Sequence, residues 1–260
     1  MSVLACYLED EGLPTTLISL IRLHTEKVGS PRALWVPFEL GRPLGPPNDA
    51  PFQRRVLLAL LGLLEAPDGP VILRDFAEAS PDASDDPAWS CPVRLPVPQF
   101  DASDLAALQS GLAHEIAAVR PWHEQAVAKW GRTTVGLSGL GIVESLPLIL
   151  AYLAGQKIES PRPGMRAVQV MRYAVDDLKA YYLEAATADA PGRPSSRQLA
   201  NWFWDATLAG KLVVALREAS TSSEDKLFNL IGARLLVPGV QLARLGAGQL
   251  PTAAFGGRVA

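Results

Sequence analysis

The sequence predicts an α/β unit with a parallel sheet at the N-terminal end, followed by an all-α helical domain. Three observations carry that reading. Two short β-type runs, Thr15 to Leu20 and Ala33 to Phe38, flank a polar segment, and an apolar helix pattern over about 50–65 follows them. That β–x–β–loop–α order is the material of a parallel α/β sheet with its site at the strand ends. From Asp101 onward apolar residues recur at steps of three and four. Between the two patterns, 75–100 is rich in Pro, Asp, Ser and Ala and reads as a linker or arm, anchored by Trp89, Val93, Leu95 and Val97. The expected division is an α/β part over 1–85, a linker over 86–100, a helical domain over 101–245 and a loose tail over 246–260.

Taken in order, residues 3–11 read as the last turns of a helix, with Gly12 as its stop signal. Such a helix has little room for its first turns, so the natural unit is expected to begin further upstream. Pro14 leads into the first strand, where a first residue need not donate to the ladder. His24 to Val28 is a polar turn or short helix, broken by Gly29-Ser30-Pro31. The second run, RALWVPF, is apolar almost throughout, as expected of a strand covered on both faces. The loop Glu39 to Pro51 is stiffened by prolines, while Gly41 and Gly45 permit close backbone approach. Two readings of it stay open: a small-ligand site at Gly41, Arg42, Pro43 and Gly45, or a rigid turn that delivers the next helix. Asn48 or Asp49 caps that helix, with Leu57, Leu58, Leu61 and Leu64 as its buried stripe and Arg54 and Arg55 on its wet side. A third apolar run, VIL, precedes Asp75.

In the second half, Asp101 caps a helix carrying Leu105, Leu108, Leu112, Ile116 and Val119, which Pro121 kinks or restarts. Further helices are expected over Ile142–Leu153 and Arg166–Ala186, the latter burying Val168, Met171, Val175, Leu178 and Tyr182. Ser195 and Gln198 have capping-box spacing before one helix burying Leu199, Trp202, Phe203, Ala206, Val213 and Leu216. A last helix, Glu224–Leu236, ends before Pro238.

Composition narrows the function classes. With 260 residues, 48% hydrophobic residues and a net charge of −3, the chain can bury a sizeable core. No basic block points to nucleic acid. The start, MSVLACYLEDEG, lacks the basic region of a signal peptide, and the apolar run Val135–Leu153 is interrupted by glycines, Glu144 and Pro147. A cytoplasmic chain with no membrane span is expected. Its two cysteines, Cys6 and Cys91, form no CxxC or zinc pattern.

Two segments, LEDEGLPT (8–15) and GSPRALWVPFELGRPLGPPNDAPFQRRVL (29–57), agree in order and spacing with a known pattern. Over Gly12–Leu64, about a fifth of the chain, the sequence resembles the C-terminal part of the glycine/sarcosine/betaine reductase selenoprotein B family, which includes D-proline reductase-like proteins. The resemblance implies the fold of the first unit and a half-site at its Gly/Pro loop. The family's chemistry, reductive cleavage of a carbon–nitrogen bond, depends on a selenocysteine or cysteine paired with a second cysteine. That pair precedes the helix that ends in the Gly-x-Pro-Thr segment. Counted back from Thr15 it would fall before Met1, and Cys6 lies on the helix without a CxxC partner. The resemblance therefore implies a bacterial subunit or half-site component of a thiol- or selenol-dependent reductase-like complex, completed by a partner bearing a redox-active cysteine or selenocysteine motif. A homo-oligomer is a further option. The alternatives are an independent enzyme with its site in the helical domain, metal-dependent or not, and a small-ligand-binding protein.

Candidate chemistry is sparse, and no cofactor is legible. Cys6 and Cys91 are the catalytic candidates if a thiol acts, although each reads first as a structural residue. No metal site is expected. The pairs His114-Glu115 and His123-Glu124, with Asp176, Asp177, Glu184 or Asp205, would have to build one, and Glu-x-x-His spacing is absent. GRTTVGLSGLG (131–141) reads as a turn, or as a phosphate cradle if it leads into a helix N-terminus, but it lacks a P-loop ending. NWFWD (201–205) with Tyr173, Tyr181 and Tyr182 reads as an aromatic core or interface.

Overall fold

The structure, a computed structural model, describes residues 1–189 and 192–246. The chain forms two compact units, Met1–Asp85 and Asp86 onward. The first is α/β with a parallel sheet; the second is helical. No described helix is long and apolar enough to cross a membrane. The predicted tail after Gly246 lies outside the described residues.

The first unit opens with α1 (Ser2–Asp10). Gly12 ends it at φ 78°, where the Leu13 N–H reaches back to the Leu8 carbonyl. Strands β1 (Leu17–Ser19), β2 (Arg32–Trp35) and β3 (Ile72–Asp75) form a parallel sheet in that order, with Leu17 opposite Ala33 and Arg32 opposite Ile72. Helix α2 (Arg22–Val28) joins β1 to β2. The second strand is shorter than its apolar run because Pro37 has no N–H to donate; Val36 gives the last bond, to the Ser19 carbonyl. Leu34, Val36 and Phe38, at the strand period of two, bury one face against Phe52, Val56 and Leu63. Phe38, Phe52 and Phe76 close that core, with ring centroids 5.4–6.1 Å apart.

Helix α3 (Ala50–Leu61) is capped by Asp49, which accepts the Phe52 N–H, and ends in a 3-10 turn, Gly62–Glu65. Its predicted buried stripe is overturned. Leu57, Leu58, Leu61 and Leu64 face solvent, and Phe52, Val56 and Leu63 face the core. Over 56–64 the sequence is apolar on every side, so spacing alone cannot choose a face. The Phe52 ring, one turn before Val56, decides it.

In the second unit, α4 (Leu105–Trp130) is capped by Asp104 rather than by Asp101, whose carboxylate is taken by the Ser103 N–H and hydroxyl. The helix runs through Pro121 without restarting; Val119 and Ala126, buried on either side, hold it across the missing hydrogen bond. Helix α5 (Leu146–Leu153) starts later than its apolar run. Helix α6 (Ala167–Ala186) buries all five residues of its predicted stripe. The single helix expected after Ser195 is two, α7 (Ser196–Ala206) and α8 (Leu208–Thr221). Thr207 breaks it: its backbone is extended and its hydroxyl accepts the Gly210 N–H, a new N-cap. The Ser195–Gln198 capping box is present. The last predicted helix is α9 (Lys226–Ile231) with a π turn over Gly232–Leu236, and α10 (Gly239–Arg244) adds an element the sequence reading lacked. Val93 of the predicted linker is buried in the helical core, with Leu95 packed on it, whereas Val97 is exposed and anchors nothing.

Candidate functional site

The helical unit places its site where α4, α6 and the loop 131–145 meet. Residues Ile116, Arg120, His123 and Glu124 share one face of α4, spaced by four, three and one. Asp177, Tyr181 and Glu184 share one face of α6 at the same kind of spacing. The loop is stapled to α6 by two carboxylates, seven residues and two turns apart. Asp177 accepts the N–H groups of Gly136, Leu137 and Ser138 and the Ser138 hydroxyl, at 2.6–2.9 Å. Glu184 accepts the Thr134 N–H and hydroxyl and the Thr133 hydroxyl, at 2.7–2.8 Å. Burial pushes the Glu184 carboxyl up, but the bonds from Thr133, Thr134 and His123 outweigh it and hold it below the usual carboxylate range.

The glycine-rich loop is thus an anion cradle whose anion is the protein's own. A run of N–H groups converges as it would on a phosphate, and the buried Asp177 carboxylate fills the space. A phosphate has no room in that cradle.

Beyond the staple, His123 Nε2 lies 3.1 Å from Glu184 Oε2, and the His123 ring stacks on Tyr181 with centroids 4.4 Å apart. A carboxylate on one ring nitrogen and an aromatic face on the ring fix the imidazole's position and tilt. His123 and Tyr181 line an open cavity of about 380 Å³, walled by Ile116, Ile142 and Val143 and rimmed by Arg120, Glu124 and Glu144. Glu144 is oriented by the Gly141 N–H at 3.2 Å. Burial pushes the Tyr181 phenol up, with Arg120 pulling the other way.

The remaining candidates are dispersed. His114 is nine residues from His123 on one unbroken helix, which puts it on the opposite side at about 100° per residue. It bonds the Ser110 carbonyl. Asp176 pairs with Arg172 and Lys179, and Asp205 with Arg244. Among the described residues no group of three or more His, Cys, Asp and Glu side chains is placed to hold a metal. Burial pushes the Cys91 thiol up to about 11, so it is a protonated, poor nucleophile at neutral pH. Cys6 is half-buried on α1. The aromatic group is core: Tyr182 packs on Phe203 and Trp202, and its hydroxyl donates to the buried Glu115, which also accepts the first two N–H groups of α8.

In the α/β unit, Gly41, Arg42, Pro43 and Gly45 line neither of the two cavities described. Arg42 pairs with Asp82. Gly45 has φ 81°, and a side chain there would overlap the Phe52 ring, so this glycine lets the loop pack on the core. The unit's own cavity, also about 380 Å³, lies between α3 and β3, lined by Leu58, Ala59, Gly62 and Arg74 among others.

His123, Glu124 and Glu184 stand out in the sequence, whereas Tyr181 as a stacking partner and Arg120 and Glu144 as the rest of the rim do not. The spacing of Asp177 to Glu184 was the available signal for the staple. No family model, curated protein or solved structure matches the chain.

Proposed function

We propose that the helical unit is an independent small-molecule site in which His123 is the acid–base group. The carrying observation is the imidazole held by Glu184 through one nitrogen, stacked on Tyr181 and bordering a cavity with polar groups of both signs. An oriented histidine beside a concave, partly apolar surface is what proton transfer needs: a group within reach of the substrate, fixed before it arrives. The Ile116, Ile142 and Val143 wall suits a short apolar body, and Arg120 with Glu124 and Glu144 suits a ligand that carries polar ends. The test is a thermal-shift and calorimetric screen of the full chain against small amines, carboxylic acids and amino acids. Binders are expected to lose at least about tenfold in affinity in Glu124→Gln and His123→Gln variants that keep the wild-type circular dichroism. Binding that survives both substitutions, or no binder at all, removes the site.

A second reading keeps the family likeness of Gly12–Leu64. It is favoured by the state of the thiols: Cys91 is held protonated by burial, and Cys6 has no second cysteine in its unit. In that reading the reactive thiol or selenol pair belongs to another polypeptide, and this chain supplies the complementary half. Native mass spectrometry of the endogenous assembly tests it. A partner of equal stoichiometry with a Cys-x-x-Cys or selenocysteine motif supports the reading; turnover by the isolated chain sinks it.

A further inference from the structure

The α/β unit leaves one helix face unfinished. Leu57, Leu58, Leu61 and Leu64 are 41%, 58%, 52% and 41% exposed, a contiguous apolar stripe on α3 and its 3-10 turn. At about 100° per residue, Arg54, Leu57, Leu58 and Leu61 fall within roughly 100° of arc, and Leu64 and Glu65 follow in the next turn. The stripe is bracketed by opposite charges: Arg54 at its N-terminal end, Glu65 at its C-terminal end. Neither has an ion-pair partner among the described residues, whereas the neighbouring Arg55 pairs with Glu78.

We infer that this face is covered by a second copy of the same chain, its α3 lying antiparallel across a two-fold axis. One register pairs both charges and sets Leu58 on Leu61, with Leu64 falling opposite Arg55. Placing Arg54 of one copy opposite Glu65 of the other puts Leu58 opposite Leu61, and by symmetry Leu61 opposite Leu58. In the same register Leu57 lies over Gly62, the residue without a side chain that borders the Leu58–Ala59 cavity. The stripe is self-complementary in shape and in charge, which is what an isologous interface requires. A parallel arrangement would set Arg54 against Arg54 and Glu65 against Glu65. One helix face is a small patch against the area of a standard interface, so the dimer is concentration-dependent.

Sedimentation velocity of the full chain from about 1 to about 200 μM reads the equilibrium directly. The wild type is expected to pass from monomer to dimer across that range. Leu61→Glu, on an exposed position, should weaken association at least about tenfold without changing the circular dichroism. Arg54→Glu and Glu65→Arg should each weaken it, and the double variant Arg54→Glu/Glu65→Arg should restore it, because every contact is then reversed in both halves. A wild type that stays monomeric, with the stripe covered by another segment of its own chain or by a different protein, overturns the inference. So does a dimer indifferent to Leu61→Glu, or a double variant no tighter than the single ones.

Discussion

The two units dispose of their charged and apolar groups in opposite ways. In the helical unit two carboxylates turn inward, Asp177 and Glu115, each buried and accepting two or three backbone N–H groups, while Asp205 keeps an exposed pair with Arg244. In the α/β unit the carboxylates of Asp75, Asp82 and Glu78 pair with arginines at the solvent-exposed rim, and the Glu9–Arg32 pair is the more covered one. The apolar groups invert as well. The helical core takes in α4, α6 and α8 along their stripes, while four leucines of α3 remain in water. One unit is closed by polar bonds inside it. The other keeps polar bonds at its edge and an apolar face outside, the face on which the inferred dimer would form.

The sharpest test of that contrast is Asp177→Ala against Asp82→Ala. The first strands the buried Ser138 N–H and hydroxyl and breaks two bonds from the exposed Gly136 and Leu137; each buried group left without an acceptor costs about 1–3 kcal/mol, so the helical unit should lose at least about 2 kcal/mol. The second removes an exposed pair and should leave the α/β unit's unfolding unchanged within error. Trp35 is the α/β unit's sole tryptophan, so the urea unfolding signal that Trp35→Phe removes from the fluorescence reports the α/β unit and the signal that remains reports the helical unit. Equal losses in the two variants would erase the distinction between interior and rim carboxylates.

That interior wiring is what the sequence conceals. Helical stripes such as Val168, Met171, Val175, Leu178 and Tyr182 are legible because burial repeats at the helical period and nothing competes with it. The parallel sheet is legible for the same kind of reason, from two β-type runs and the loop between the second and its helix. Helix α3 is illegible in rotation because apolar residues occur on every side over 56–64. The break at Thr207 hides because a side chain that caps one helix also sits comfortably within a longer pattern. The candidate site is half legible. His123 and Glu184 stand out as residue types, but their meeting at 3.1 Å depends on two helices crossing, and the Asp177 staple depends on a loop folding back over forty residues.

Acid titration separates two carboxylates of the helical unit by sign. Glu184 is held below the usual range, so its contribution is present above the unfolded value of about 4.3 and is lost as pH falls through its folded value. Glu115 is the reverse. Burial pushes it up, against the bonds from Leu208, Ala209 and Tyr182, so its contribution is full below about 4.3 and declines as pH rises through its folded value. Urea midpoints at about pH 7, 5 and 3 should show a smaller acid-induced loss in Glu184→Gln than in the wild type, and a larger one in Glu115→Gln, which no longer gains from protonation. Identical slopes in all three proteins would show that neither carboxyl governs the acid limb.

The smallest expected effect lies at the α/β rim. Arg55 donates to both oxygens of Glu78, and the guanidinium beside it holds that carboxyl below its usual range. Both side chains are about half exposed, where water and salt screen the attraction and holding two long chains in place offsets what remains. Arg55→Ala should therefore leave the α/β unit's unfolding midpoint where it was, at low and at high salt alike. Arg55 also covers the Phe52 ring, with its guanidinium carbon 5.2 Å from the centroid, so the proper control is Glu78→Gln, which keeps that cover and removes only the pair. If Arg55→Ala destabilises the unit and Glu78→Gln does not, the arginine acts through its contact with the ring, and the rim of the α/β unit contributes to stability by covering its core rather than by charge.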